Sequence, residues 1–207
     1  MSNAADAPVY TVTYIEVAPV AAVEVAKGLR QQLQGARKAD GVLRLDVLRR
    51  VGPSHHFAIV GAWRSRQQFD SEREGGNGKV LRDKLGPHLI AGVDTRIHGA
   101  LIGGADTARG TATTWVVTHV DVPPPNKDAC IALLEAHVKA SRAEPGSVCL
   151  DVFQQADRPN HFSVVEGWAS QAAYDAHIVA SHTRAFRQQL TPLSGALYDE
   201  RLYRQEG

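Results

Sequence analysis

The sequence predicts an α+β fold of two ferredoxin-like β-α-β-β-α-β repeats. Three observations carry this: a long internal self-similarity, an alternation of strand-like and helix-like stretches, and turn residues placed between them. Displacing the chain by 105 positions lays HFAIVGAWRSRQQFD over HFSVVEGWASQAAYD without a gap. His56, Phe57, Val60, Trp63, Ser65 and Asp70 then meet His161, Phe162, Val165, Trp168, Ser170 and Asp175. The register also holds upstream, where Gly41, Leu45, Asp46 and Val47 meet Gly146, Leu150, Asp151 and Val152. Roughly a quarter of positions in Tyr10–His98 match Trp115–Tyr203, too long a register for unrelated segments. The chain is a tandem duplication.

Each element follows from local pattern. Val9–Val17 (VYTVTYIEV) is rich in β-branched and aromatic residues and ends before Pro19, a strand reading. Val20–Lys38 places Val23, Ala26, Leu29 and Leu33 at helical spacing. Gly41 breaks that helix, and Val42–Val51 alternates Leu43, Leu45 and Val47 against Arg44 and Asp46, a second strand. Gly52-Pro53 turns the chain into a third strand, His56–Trp63. Ser65–Glu74 reads as a helix interrupted by Gly75-Gly76-Asn77-Gly78 and resumed over Lys79–Leu85, with a last strand inside Gly92–Ile102. The second copy repeats this order: strand Trp115–Val122, helix Asn126–Arg142, strands Ser147–Gln154 and His161–Trp168, helix Ser170–Leu190 broken near Ala180-Ser181, and a strand inside Leu197–Tyr203. The repeats are therefore bounded as 8–102 and 113–205, with the small, polar stretch 103–112 as linker.

Composition excludes several classes. Lys plus Arg number 23 against 22 for Asp plus Glu, so neither a nucleic-acid partner nor an acidic tail is indicated. No apolar run approaches the ~20 residues that span a bilayer, and Met1–Pro8 lacks the charged start and apolar core of a signal peptide. Cys130 and Cys149 form neither a CxxC motif nor a disulfide framework, so a reducing cytoplasm is the expected location. A sheet with both helices on one side leaves its other face bare, yet Cys149 and Phe153 as well as Val148, Leu150 and Val152 are apolar. The two antiparallel sheets are accordingly expected to pack face to face as an intramolecular pseudo-dimer, which leaves room for association into a further homodimer.

One string stands out in this frame: Val164-Val165-Glu166-x-Trp168-x-Ser170, then His177, Ser181-His182 and Phe186. It resembles the antibiotic-biosynthesis monooxygenase (ABM) family of the dimeric α+β barrel superfamily, and the likeness runs once through each repeat. The resemblance implies an intramolecular dimeric α+β barrel. It also implies a monooxygenase that uses O₂ as co-substrate and no cofactor, acting on a small aromatic, hydroquinone or polyketide-like substrate. The residues suit that chemistry. A phenolate or carbanion can give an electron to O₂ directly, so the protein must favour the anion and exclude water. A histidine with an ordinary pKa near 6.5 suits proton removal at neutral pH, and flat aromatic side chains can hold a ring.

On that basis His182, His177 and Glu166 are the expected catalytic groups, with Trp168, Tyr174 and Phe186 binding substrate. Each has a plainer reading. His182 can be a capping or surface histidine, and His177 lies about 140° from it around an ideal helix, so only the break can bring both together. Glu166 and Trp168 share a strand face, but Glu166 can instead pair with Arg184 or Arg201. The three aromatics can be simple core. Asp46 and Asp151 are expected to pair with Arg96 and Arg201. Repeat one has Gly61, Glu72 and Asn77 where repeat two has Glu166, His177 and His182, and so reads as degenerate. No metal is expected, because no H-x₃-H pair or carboxylate–His spacing occurs in the sequence. Haem is not expected either, since the haem ligand of distant relatives would fall at Phe186-Arg187. The competing readings are a non-catalytic small-molecule-binding or stress-related protein, and an isomerase using the same His and Glu groups.

Overall fold

The structure is a computed structural model that describes residues 7–104 and 111–206; most of the expected linker, 105–110, lies outside the described residues. In order, the elements are β1 (Val9–Glu16), α1 (Ala22–Ala36), β2 (Val42–Arg50), β3 (His56–Trp63), α2 (Arg66–Glu74), α3 (Gly76–Leu85) and β4 (Asp94–Ile102). They are followed by β5 (Thr114–Asp121), α4 (Lys127–Ser141), β6 (Ser147–Gln155), β7 (His161–Trp168), α5 (Gln171–Val179), α6 (Ser181–Leu190) and β8 (Asp199–Gln205). The strand order is that of a closed antiparallel barrel, β1-β3-β2-β8-β5-β7-β6-β4, so the fold class is the α+β barrel with two repeats. The chain forms two compact units: one holds the described residues up to Gly99 with those from Arg204, the other Ala100–Tyr203. No helix is long and apolar enough to cross a membrane.

In the first unit β3 lies between β1 and β2, and β1 also pairs with β4, all antiparallel. In the second, β7 lies between β5 and β6 in matching register: Val9 opposes Trp63 as Thr114 opposes Trp168. A bulge recurs at Val42/Arg44 and at Ser147/Cys149. Gly41 and Gly146, at the entry to β2 and β6, have φ of +86° and +84°, a left-handed conformation that favours glycine. Arginines at matching positions close the same turn: Arg37 Nε donates to the Leu45 carbonyl at 2.8 Å, and Arg142 Nε to that of Leu150 at 3.0 Å.

Alternation along the middle strands sends Phe57, Ile59 and Trp63, or Phe162, Val164 and Trp168, toward the helices. Leu29 and Leu33 of α1 close one core, and Leu134 and Val138 of α4, with Phe186 and Leu190 of α6, close the other. Helix α2 begins at Ser65, whose hydroxyl accepts from Gln68 N; α5 begins likewise at Ser170, which accepts from Ala173 N. The expected four-residue interruption at 75–78 is narrower than the glycines suggest. Only Gly75 is extended, and Gly76-Asn77-Gly78 form the first turn of α3. Asp46 is also bonded otherwise than expected. It pairs with Arg44 and accepts from Gln205, while Arg96 pairs with Asp94 at 3.1 Å. The two arginine pairs are short-range, each joining residues two apart along the same face of one strand. Asp151 Oδ1 stands 3.6 Å from Arg142, and Arg201 pairs with Asp199 at 2.6 Å.

Candidate active site in the second unit

The break between α5 and α6 organises the site. Ala180 is extended (φ −62°, ψ 148°), so α6 restarts at a new angle and its first turn faces back toward α5. His177 and His182 thereby meet at one carboxylate. His177 Nδ1 is 2.6 Å and His182 Nε2 2.9 Å from the same Oε1 of Glu144, in the turn after α4. An ionised Glu144 accepts from both rings, which places their protons on those two nitrogens and leaves His177 Nε2 and His182 Nδ1 as acceptors. Thr183 Oγ1 lies 3.3 Å from His177 Nδ1, and Ser141 Oγ 3.5 Å from His182 Nε2. The His177 side chain is only 3% exposed, whereas His182 keeps 29% and Glu144 16% open to solvent.

Behind His177 lies the strand face. Glu166 accepts a hydrogen bond from Trp168 Nε1 at 3.0 Å, and its Oε2 stands 3.6 Å from His177 Nε2. The Trp168 ring lies 4.6 Å from that of His177. Glu166 is therefore a buried carboxyl facing an imidazole, not the partner of Arg184 or Arg201. Burial pushes its pKa up to about 7, against the Trp168 hydrogen bond, which holds it down; Glu200 and Glu144 push it further up. Burial lowers the pKa of His177, while the hydrogen bond and charge of Glu144 oppose the shift. A carboxyl raised to neutrality and an imidazole lowered from its usual value form a pair that can hold or pass one proton.

The expected aromatics close this network from below. Trp168 is fully buried, Tyr174 donates its hydroxyl hydrogen to Glu200 Oε1, and Phe186 stacks on His137 at 4.2 Å with planes 10° apart. Burial, then Glu200, raises the Tyr174 pKa. Arg187 donates to the other Glu200 oxygen at 2.6 Å. His137 is a member of the cluster that the sequence does not announce. Its ring lies 5.4 Å from His177 and 6.0 Å from His182, and desolvation, with the two neighbouring imidazoles, lowers its pKa to about 3. Sequence reasoning also misses Glu144, Ser141, Thr183 and Glu200. Comparison of the repeats holds a signal for the first two: Glu144 and Ser141 replace Ala39 and Ala36 of the first copy.

Spacing along the chain hides a third arrangement. Single donor atoms of Glu144, His177 and His182 all lie within 4.8 Å of one another, as do those of Glu16, His55 and His56 in the first unit. Sequence spacing does not reveal these groupings, because their ligand-type side chains come from different elements. Cys130 and Cys149 are both buried.

The family model "Antibiotic biosynthesis monooxygenase" matches residues 8–74 and 114–189, once in each repeat and over most of the chain. The chain belongs to the antibiotic biosynthesis monooxygenase family. A Synechocystis relative, "Uncharacterized protein sll1783", is 26% identical over 101 residues, covering 48% of this chain and 69% of the relative. Among solved structures, a candidate monooxygenase from Fusobacterium nucleatum superposes with TM-score 0.85 at 15% identity, over 97% of this chain and 93% of that one. An "anthrone oxidase-like protein" superposes with TM-score 0.72 at 16% identity, over 98% and 92%. At such identities these structures establish a shared fold. A monooxygenase-like function for this ABM protein accords with its family, and its chemistry has to be argued from its own residues.

Proposed function

We propose that this ABM protein is a cofactor-independent monooxygenase that oxidises a small aromatic, hydroquinone or polyketide-like substrate with O₂. The observation that carries this reading is the hydrogen-bonded set Glu144–His182 and Glu144–His177, backed by Glu166 and Trp168. His182 is the partly exposed member, and Glu144 holds its proton on Nε2, so Nδ1 is free to accept a proton from a phenol or an activated C–H. His177 and Glu166 take up that charge behind it. Trp168, Tyr174 and Phe186, buried behind the histidines, keep this side of the site dry, so that the ring's anion forms out of bulk water. The anion transfers an electron to O₂, the radicals combine as a peroxide, and O–O cleavage leaves one oxygen on the substrate and the other as water. For conversion of an aromatic-activated CH₂ to C=O, the four electrons that O₂ accepts all come from the substrate. Oxygen uptake by metal-free protein over a panel of hydroquinones and anthrones tests the reading. Uptake that falls at least about a hundredfold in His182→Ala supports it; full activity in both His182→Ala and Glu166→Gln overturns the site assignment.

A second reading, a small-molecule binder, is favoured by one observation in the first unit. An apolar cavity of about 790 Å³ lies between helices and sheet there, lined by Leu33, Leu45, Ile59, Trp63, Phe69 and Leu85 among others. Ligand uptake without oxygen consumption, abolished by filling the cavity with Ala36→Trp and untouched by His182→Ala, would favour this reading.

A further inference from the structure

We infer that Glu144, His177 and His182 form a binding site for a divalent transition-metal ion of the zinc class. The donor set is two imidazole nitrogens and one carboxylate oxygen, delivered by the turn after α4, by α5 and by the first turn of α6, with all three atoms within 4.8 Å of one another. Imidazole selects zinc-like ions over magnesium or calcium, and two histidines with one carboxylate leave open positions on the metal. The separations of His177 Nδ1 and His182 Nε2 from Glu144 Oε1, 2.6 and 2.9 Å, are those of a hydrogen-bonded cluster. Tetrahedral bonds of about 2.0–2.1 Å hold ligand atoms about 3.3–3.4 Å apart, so the two contacts open by roughly half to three-quarters of an ångström, movement that the partly exposed His182 and Glu144 can supply.

The surroundings are built as outer supports of a metal site are built. A ligating histidine usually donates its second ring N–H to a carboxylate. His177 Nε2 faces Glu166 Oε2 at 3.6 Å, and Trp168 Nε1 fixes Glu166 in turn at 3.0 Å. When the metal takes the Nδ1 lone pair, the His177 proton moves to Nε2, where that carboxylate can receive it. The His137 ring, 6.0 Å from that of His182, stays outside the ligand set and borders it, its Nδ1 buried without a hydrogen-bond partner. On the open side, 29% of the His182 side chain meets solvent, giving the ion a way in and a water as additional ligand.

With the ion on His182 Nε2, the ring's proton is carried on Nδ1, the atom that the proposed oxygenation needs as a free acceptor. Metal occupancy and proton transfer by these histidines are therefore mutually exclusive, and zinc acts as an inhibitor of that reaction. The inhibition rests on the proposed function; the binding does not, so the two fail separately. Calorimetric titration of chelator-treated protein with Zn²⁺, and its visible spectrum with Co²⁺, test the binding. A His55→Ala/His56→Ala background removes the second cluster, at Glu16. One equivalent bound in that background, weakened at least about a hundredfold by Glu144→Gln or His182→Ala and tenfold or more by Glu166→Gln, supports the site. Circular dichroism establishes that the variants are folded. The inference is overturned if the folded background protein binds no equivalent, or if binding stays at full strength in folded Glu144→Gln and His182→Ala.

Discussion

The two repeats share a frame and differ in what they enclose. Both open their second helical arm with a serine cap, turn into the second strand through a left-handed glycine, and latch the first helix with an arginine on a strand carbonyl. Inside, the first unit surrounds a largely apolar cavity, and the second gathers three histidines and three carboxylates. Six positions carry much of the change. Gln32, Ala36, Ala39, Gly61, Glu72 and Asn77 of the first copy stand where the second has His137, Ser141, Glu144, Glu166, His177 and His182. Glu72 and Asn77 still bond to each other, at 2.8 Å, but as surface groups on the helices. The frame tolerates both interiors because the turns, caps and strand register that define it involve none of these side chains.

The largest expected effect breaks this comparison at its chemical end. His182→Ala should lower oxygenase turnover at least about a hundredfold, the usual contribution of a general base, while Asn77→Ala at the matching position changes it less than twofold. Steady-state oxygen uptake reads both. Equal losses would show that the first repeat carries chemistry as well.

Next in size is the attempt to give the first unit the second unit's buried carboxyl. A Cβ at Gly61 would lie 2.6 Å from Thr11 Oγ1 and 2.8 Å from Trp63 Nε1. Trp63 Nε1 already donates to Thr11 Oγ1 at 3.2 Å, the service that Glu166 performs for Trp168. Gly61→Glu should therefore cost about 3 kcal/mol through overpacking and an unsatisfied carboxyl, measured by urea unfolding. The sequence shows Gly61 as a missing functional group. The structure shows its partner tryptophan satisfied by a threonine, where the second repeat has Val116.

Of comparable size is a pH effect that only the second unit should show. Glu166 has a folded pKa of about 7 against an ordinary 4.5, so the folded state binds its proton more tightly than the unfolded chain does. Stability from this group is complete below pH 4.5 and declines as pH rises toward 7, by about 3 kcal/mol at most. His137 works in the opposite sense: its pKa near 3, below the usual 6.5, costs stability as pH falls from 6.5 toward 3. Glu166→Gln should remove the decline between pH 4.5 and 7 and keep the acid-side loss, as read from unfolding curves across that range. A decline unchanged in Glu166→Gln would show that the carboxyl titrates normally.

These effects mark where sequence is enough. The central strands β3 and β7 are legible to the residue, at His56–Trp63 and His161–Trp168, because β-branched runs between turn residues decide such a strand locally. The helix break that joins His177 to His182 is visible only as a weak spot near Ala180-Ser181. Its consequence depends on Glu144, 33 positions before His177, and no local pattern reports a contact between a turn and a helix that distant. His137 reads in sequence as an ordinary position on an amphipathic helix. Only packing against Phe186 and the two other imidazoles makes it a desolvated ring.

The smallest expected effect sharpens the comparison from the side of the shared frame. Ser65 Oγ accepts from Gln68 N at 3.3 Å and Ser170 Oγ from Ala173 N at 3.2 Å, each meeting one of the unpaired amides at a helix start. Loss of such a cap costs about 1 kcal/mol. Ser65→Ala and Ser170→Ala should therefore destabilise the protein by equal amounts, although one helix leads to a cavity rim and the other to the histidines. Oxygen uptake should separate them: α5 carries His177, so fraying at Ser170 loosens the link to Glu144, whereas fraying at Ser65 moves only Glu72. Equal stability loss with unequal loss of activity would show one frame serving two interiors. Unequal stability loss would mean that the polar network itself supports the helix that bears it.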